Sequence, residues 1–466
     1  KGHFNMGNAL SEDEKLEEAI DAYNKAISIK PQYAEVYNNM GISLRKQGKL
    51  IESMEAYSKA ISINSDFTDA YYNMAIALKN TRFIKFDTTI EAAIVSILDR
   101  KTIVRPAEIA GAIVSLLKHT PTLSEFFSND FNTTLHQTFD KSILALSNSQ
   151  LLLKFMSVCP LPDLDLEHTL TSIRSYILSN ISQINSCPLL LKIQSALALQ
   201  CFTNEYIYNL TTSDEESLKN LEKSAADLLS SGVQPEPHII LCLASFTALH
   251  EYDWSNKLQM HPEIKAVFIR QIVEPNEVEK FKLQIPTLEK ITDKVSKKVR
   301  AQYEDNPYPR WVNTGLSINP FKLSDLVDQL NLKLLDTKIL ELNEPNILIA
   351  GCGTGQHSIG TSSRFKNSKV LSIDLSLSSL AYAKRKTQEL GLNDIDYMHA
   401  DVLKLKQLNR QFDIIESAGV LHHMDDPMLG WKELVNRLKP GGLMKIGLYS
   451  ELARRQLVKY RPKVVE

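Results

Sequence analysis

The sequence predicts a multidomain chain: an all-α N-terminal part followed by an α/β domain with a mainly parallel sheet. Three observations predict it. Residues 1–82 repeat with a period of 34. Six of the 17 glycines precede residue 300 and eleven follow it, a shift from helix-rich to turn-rich composition. Beyond residue 300, short apolar runs alternate with helix-periodic stretches, the pattern of strands and crossover helices. At roughly 150 residues per domain, 466 residues hold about three units. The boundaries fall at 1–82, 83–300 and 301–466.

In the first segment Asn5, Asn39 and Asn73 align, as do Met6, Met40 and Met74, and Leu10, Leu44 and Leu78. In the second half of each unit Tyr23 pairs with Tyr57, Ala26 with Ala60, and Ile29 with Ile63. Small residues at Ala26 and Ala60 let paired helices approach, while the tyrosines and leucines fill the layer between them. This period and pattern resemble tetratricopeptide repeats. The resemblance implies a protein or peptide partner, with the three asparagines on a concave face, either solvated or bonding a bound backbone. The third unit keeps only its first helix before the pattern fails near Arg82, and further repeats are expected ahead of Lys1.

Residues 83–300 are helix-periodic. Ile90, Ala93, Ile94 and Ile97 form one apolar face; Ile109, Ile113 and Leu116 form another behind the helix-starting Pro106. Asp163 and Asp165 are expected caps of a helix carrying Leu166, Leu170, Ile173 and Ile177. In CFTNEYIYN, residues 201–209, Asn204, Glu205 and Tyr206 are read as structural capping groups. Nothing here announces a reaction.

A net charge of −2 excludes a dedicated nucleic-acid binder as the natural reading. Five scattered cysteines exclude a disulfide framework and point to a reducing cytoplasm. The longest apolar run, 239–249, is too short to span a bilayer, so no membrane partner is expected.

The α/β domain is organised around NILIAGCGTGQHS, residues 346–358. An apolar run enters a turn with Gly351, Gly353 and Gly355, and a helix opens at Gln356. That order predicts backbone amides facing a ligand at a helix N-terminus. A dinucleotide fingerprint would need its third glycine at Gln356, which disfavours a nucleotide-dependent oxidoreductase. Strands are expected at 346–350, 369–373, 395–399, 412–417 and 443–448, with helices at 378–390 and 427–438 and LKPGG as a turn. Asp374, 23 residues after Gly351, ends the second strand and suits a ribose diol. Asp401 ends the third. Either acid could instead cap a following helix.

These motifs together resemble class I S-adenosylmethionine-dependent methyltransferases, a Rossmann-like fold, over about residues 346–449. The likeness is strongest to the branch acting largely on small molecules. VSKKVRAQYEDNPYPRWV, residues 295–312, and CFTNEYIYN resemble bacterial proteins that join tetratricopeptide repeats to such a domain. The resemblance implies S-adenosylmethionine as cofactor. Gly351, Gly353 and Gly355 would approach its methionine and ribose portions. Asp374 would hold the ribose with Leu375 on adenine, and Asp401 the adenine amine with Val402 beside it. Ser417 and Ala418 would face the methionine ammonium. The family commonly carries an acid two residues before its first motif glycine, where this chain has Ile349, with Gln356 and His357 as polar substitutes nearby.

A sulfonium methyl is already activated, so transfer needs mainly alignment in a sheltered site. Where the acceptor must lose a proton, His422 or His423 is the expected base. The acceptor itself is expected to be a small molecule. No residues have metal-ligand spacing; His422 and His423 with Asp425 and Asp426 come nearest. In YEDNPYPRW, Pro307 and Pro309 prevent a continuous helix. That stretch is read either as a lid, with Tyr303, Tyr308 and Arg310 near cofactor or acceptor, or as a seal between domains. A non-catalytic cofactor-binding scaffold is the alternative function. About 17 residues follow Tyr449, fewer than two further strands need, so the C-terminus is expected to be truncated.

Overall fold

The computed structural model describes the backbone of residues 1–127, 131–305, 307, 309–450, 452–455 and 459. By its internal contacts the chain divides into two units, one of Lys1–Pro275 with Trp311–Gly315, the other of Asn276–Arg310 with Leu316–Glu466.

The first unit is helical. Gly2–Glu12, Leu16–Ile29, Ala34–Lys46, Leu50–Ile63 and Thr68–Leu78 follow the 34-residue period, and Thr88–Asp99 comes next. Its N-cap Asp87 accepts from Thr89 N at 2.8 Å and Ile90 N at 2.9 Å. Glycine lets the paired helices approach closely. A Cβ on Gly7 would stand 2.5 Å from the Tyr23 ring, and one on Gly41 would stand 2.6 Å from Tyr57. Both pairs repeat the period, and both rings are fully buried.

Two of the recurrent asparagines, Asn39 and Asn73, donate to asparagines outside the recurrent set, about one repeat earlier. Asn39 Nδ2 donates to Asn8 Oδ1 at 2.9 Å, and Asn73 Nδ2 to Asn38 Oδ1 at 3.0 Å. Asn5 is exposed. Position 39 and position 73 therefore bridge successive units, which the sequence reading of solvated or peptide-facing asparagines does not contain. One apolar core runs from Ala34 to Ile272.

Deeper in this unit polar side chains satisfy irregular backbone. Arg174 is 1% exposed and donates to the carbonyls of Ser245 (3.2 Å), Tyr208 (3.1 Å) and Asn209 (2.9 Å), with Phe246 stacked beneath it. Asn204 caps the helix Pro188–Thr203 and accepts from Tyr206 N, while Glu205 and Tyr206 take the left-handed conformation. CFTNEYIYN thus shapes the loop that receives the arginine. Gln271 donates to Ala198 O and Ala244 O and accepts from Leu249 N. Pro275 has no N–H to reach the Gln271 carbonyl; His250 Nδ1 donates to it at 3.0 Å instead.

The second unit holds a five-stranded, wholly parallel sheet: β1 (Asn346–Ala350), β2 (Lys369–Asp374), β3 (Ile395–His399), β4 (Phe412–Ala418) and β5 (Leu438–Gly447). The order is β3-β2-β1-β4-β5. The helices Gln356–Arg364, Leu377–Glu389 and Pro427–Arg437 supply crossovers. The chain reverses direction across the sheet between β1 and β4, and such a switch opens a crevice at the carboxyl ends of the strands. β5 begins at Leu438, five residues earlier than the sequence indicates. Of the LKPGG residues Leu438 pairs with Phe412, and the register then shifts so that Leu443 pairs with Ile414, with Gly441 at φ +78. A bulge therefore absorbs a proline and two glycines that otherwise read as a turn. Among the described residues, no helix is long and apolar enough to cross a membrane.

Candidate functional site

A cleft enclosing about 890 Å³ of empty space, part of it open to solvent, lies at the carboxyl ends of β1 to β4. Its wall includes Gly351 and Gly353 after β1, Asp374 and Leu375 after β2, Asp401 and Val402 after β3, and Gly419, Val420 and His423 after β4.

The glycine turn is a tightly built wall. Gly351 and Gly355 have φ of +77 and +89. A Cβ on Gly351 would stand 2.1 Å from Val420 Cγ2, and one on Gly355 would stand 2.6 Å from Ala383 Cβ. Four amides of the turn are engaged by the chain itself. Gly351 N and Cys352 N donate to Ile373 O, Gly353 N to Asp374 Oδ2 at 2.8 Å, and Gly355 N to Cys352 O. The neighbouring strand β2 takes the first three of these donors, and the fourth closes the turn on itself. Gly355 caps the helix Gln356–Arg364 and is not among the residues lining the cleft.

The two strand-end acids have structural and unused atoms. Asp374 accepts from Gly353 N through Oδ2 and from Ser376 N (3.0 Å) through Oδ1, fixing the turn after β1 to the start of the next helix. Burial raises its carboxyl above the ordinary value despite those bonds. Ser376, rather than Asp374, is the N-cap of Leu377–Glu389. Asp401 is 2% exposed; its Oδ1 accepts from Leu403 N at 2.9 Å, the capping role. Its Oδ2 is buried without a hydrogen-bond partner among the described residues. A buried carboxylate oxygen in a cleft wall calls for a donor, and a ligand can supply one.

The cleft has a roof, of which the lid reading of the sequence named only Tyr303. The helix Lys294–Asp305 contributes Val295, Ser296, Val299 and Tyr303. Val295, Val299 and Tyr303 stand at i, i+4 and i+8, a stripe legible in the sequence. The helix is anchored at the ends of β1 and β2. Ser376 Oγ donates to Tyr303 O at 2.9 Å, Leu377 N to Glu304 Oε2 at 2.8 Å, and Thr354 Oγ1 to Pro309 O at 2.9 Å. Burial raises the Tyr303 hydroxyl, with Tyr449 and Asp374 adding to it. Arg310 is half-buried and does not line the cleft; Tyr308 lies outside the described residues.

At the β4 end His423 lines the cleft and His422 does not. The His422 ring lies 4.3 Å from that of His423 and 4.0 Å from that of Tyr449, and neither of its nitrogens has a partner among the described residues. Burial, then the charges of His423 and Arg454, hold its imidazole below the ordinary value. Ser417 is buried, and its Oγ has no hydrogen-bond partner among the described residues; Ala418 is exposed, and neither lines the cleft. Ser379, Ala400 and Met424 complete the lining and carry no motif.

A family model described as a methyltransferase domain matches residues 347–442, the stretch that builds this cleft wall from β1 to β5. A TPR repeat model matches residues 7–48 and 43–81. The chain is 36% identical over 118 residues to an uncharacterized protein of Synechococcus, covering 25% of this chain and 28% of that protein. It is 32% identical over 111 residues to the demethylmenaquinone methyltransferase of Oceanobacillus iheyensis (24% and 45%). It is 28% identical over 148 residues to the ubiquinone biosynthesis O-methyltransferase of Coxiella burnetii (32% and 60%). The chain thus spans 28 to 60% of the length of these relatives. The methyltransferase domain lies wholly within the second unit, and the repeats within the first.

Proposed function

We propose that the methyltransferase domain transfers a methyl group from S-adenosylmethionine to a small-molecule acceptor, while the repeats engage a protein or peptide partner. The observation that carries this is the pair of acids at the ends of adjacent strands, opening with the glycine turn onto one cleft. The residues fit the cofactor. The orphaned Asp401 Oδ2 suits an amine such as that of adenine, and Asp374 keeps lone pairs for a ribose diol. Leu375 and Val402 offer apolar surface beside them. The cofactor supplies an activated methyl group.

The chain's own part is placement and exclusion of water. Val295, Val299, Tyr303 and Met424 make the rest of the cleft largely apolar. His423 is the group that can take a proton from an acceptor, with His422 behind it holding a depressed basicity. The names of the two methyltransferase relatives, which concern quinones, support a small organic acceptor.

Calorimetry with S-adenosylhomocysteine tests the reading. The wild-type chain should bind it, and Asp374→Ala should weaken binding by about 1.5–3 kcal/mol, the worth of charged hydrogen bonds to buried hydroxyls. Equal affinity in the variant removes Asp374 from the site; no binding to wild type removes the cofactor.

A further inference from the structure

The opposite end of the sheet from the cleft carries a cavity that the proposed chemistry does not use. It encloses about 620 Å³ of empty space, part of it open to solvent, ahead of the amino ends of β1 and β2. One short bridge closes it. Phe321 pairs in parallel with Phe365, Phe321 N donates to Arg364 O at 2.9 Å, and Lys366 N donates to Phe321 O at 3.3 Å. The two rings meet edge to face with centroids 5.3 Å apart. Leu323, Pro345 and Phe365 are buried and make an apolar floor. Lys322, Lys366, Asn343 and Asn367 are exposed and stand on the rim.

Every polar side chain on that rim is unspent. Neither lysine ammonium and neither asparagine amide has a hydrogen-bond or ion-pair partner among the described residues. The neighbouring acids are committed elsewhere. Asp325 accepts from Lys322 N at 2.9 Å and from Ser324 Oγ at 3.2 Å, at the start of the helix Leu323–Gln329. Glu344 pairs with Lys369 at 3.4 Å. Among the described residues no carboxylate lines the cavity. The nearest helix carbonyls are taken too, Thr361 O by Phe365 N and Arg364 O by Phe321 N. A lysine alone on an open surface is solvated and signifies nothing. Here two share a concavity with two free amides over an apolar floor, and a concavity lined by one sign of charge concentrates the opposite ion.

We propose that this cavity is a second ligand site, taking a small organic anion whose phosphate or carboxylate meets Lys322 and Lys366 and whose apolar part covers Leu323 and Phe365. Asn343 and Asn367 can donate to the same anion or to a hydroxyl beside it. The site shares no lining residue with the cleft, so it stands whether or not the cleft binds S-adenosylmethionine.

The test is calorimetry on the full chain with phenyl phosphate and benzoate, which present the two anions on one apolar ring. At least one should bind saturably, and the tighter of them identifies the anion. Lys322→Gln and Lys366→Gln should each weaken that probe by about 3- to 5-fold, the scale of an exposed charge pair, and both together by about 10-fold or more. Both side chains are exposed, so the variants should keep the wild-type unfolding midpoint. Benzyl alcohol, which lacks the charge, and inorganic phosphate, which lacks the ring, should each bind more weakly than the better probe. Failure of both probes to saturate by about 10 mM would overturn the proposal. So would unchanged affinity in the double variant. Equal affinity for benzyl alcohol would leave the lysines idle, and equal affinity for inorganic phosphate the floor; either result also overturns it.

Discussion

Arg174 and Gln271 in the helical unit and Asp401 in the α/β unit use burial in opposite ways. Arg174 holds three main-chain carbonyls, and Gln271 holds two carbonyls and an amide. Asp401 keeps one buried oxygen without a hydrogen-bond partner among the described residues, in the wall of a cleft. Burial is common to all three. What differs is how far the chain already engages the group. A buried arginine is the more conspicuous residue, yet its two terminal nitrogens are spent on irregular backbone, and its Nε is the atom left without a partner among the described residues.

The difference can be broken from the helical side first. Arg174→Met should cost about 3–5 kcal/mol of stability, because it leaves two buried carbonyls and one part-buried carbonyl without their donor. Denaturant unfolding reads that loss, and S-adenosylhomocysteine affinity should be unchanged in the folded variant. A loss of ligand affinity without loss of stability would reverse the assignment.

Glu416 on β4, which is 4% exposed and accepts from His357, Thr361 and Arg364, sits between the two behaviours, and its pH dependence sharpens them. Its folded pKa of about 2 lies below the ordinary 4.5, so ionisation favours the folded state above that range. The shift corresponds to about 3 kcal/mol, present at neutral pH and lost as pH falls from 4.5 towards 2. Wild type should exceed Glu416→Gln by that amount near neutrality, and more than half of the difference should be gone by about pH 3. A difference that stays constant over that range would show that geometry, not charge, holds the cluster.

Much of this arrangement was legible beforehand, for physical reasons that also mark the limit. The first four strands were readable because both faces of a parallel sheet are covered and the apolar runs are nearly continuous. Asp374 and Asp401 stood out because polar residues interrupt those runs at their carboxyl ends. The early start of β5 was hidden, since Pro440 and Gly441 obey turn chemistry and are overridden only by pairing with β4. The engaged amides of the glycine turn were hidden too, because their acceptor, Ile373 O, belongs to the neighbouring strand. The pairing of Glu416 with Ile349 was hidden, because lateral register between β1 and β4 joins residues 67 apart in sequence. The stripe Val295, Val299, Tyr303 was visible as a helix face. Its place over a cleft built by residues beyond 350 was anticipated for Tyr303 alone, in the lid reading.

The smallest effect on stability, and the sharpest on specificity, belongs to Asp401→Asn. The amide oxygen can still accept from Leu403 N and keep the cap, so unfolding free energy should change by less than about 1 kcal/mol. The amide nitrogen then replaces Oδ2 as the atom towards the cleft. A donor there opposes the adenine amine, and two facing donors leave both unsatisfied. S-adenosylhomocysteine should therefore bind about 10- to 100-fold more weakly, the cost of an unpaired buried polar group. S-inosylhomocysteine, which carries a carbonyl oxygen in place of that amine, should show the reverse preference, because the new donor meets an acceptor. Inversion of the two affinities in a stably folded variant would tie Asp401 to the purine edge. A uniform loss for both ligands would leave Asp401 as the cap of a short helix, and the two units would then treat their buried polar groups alike.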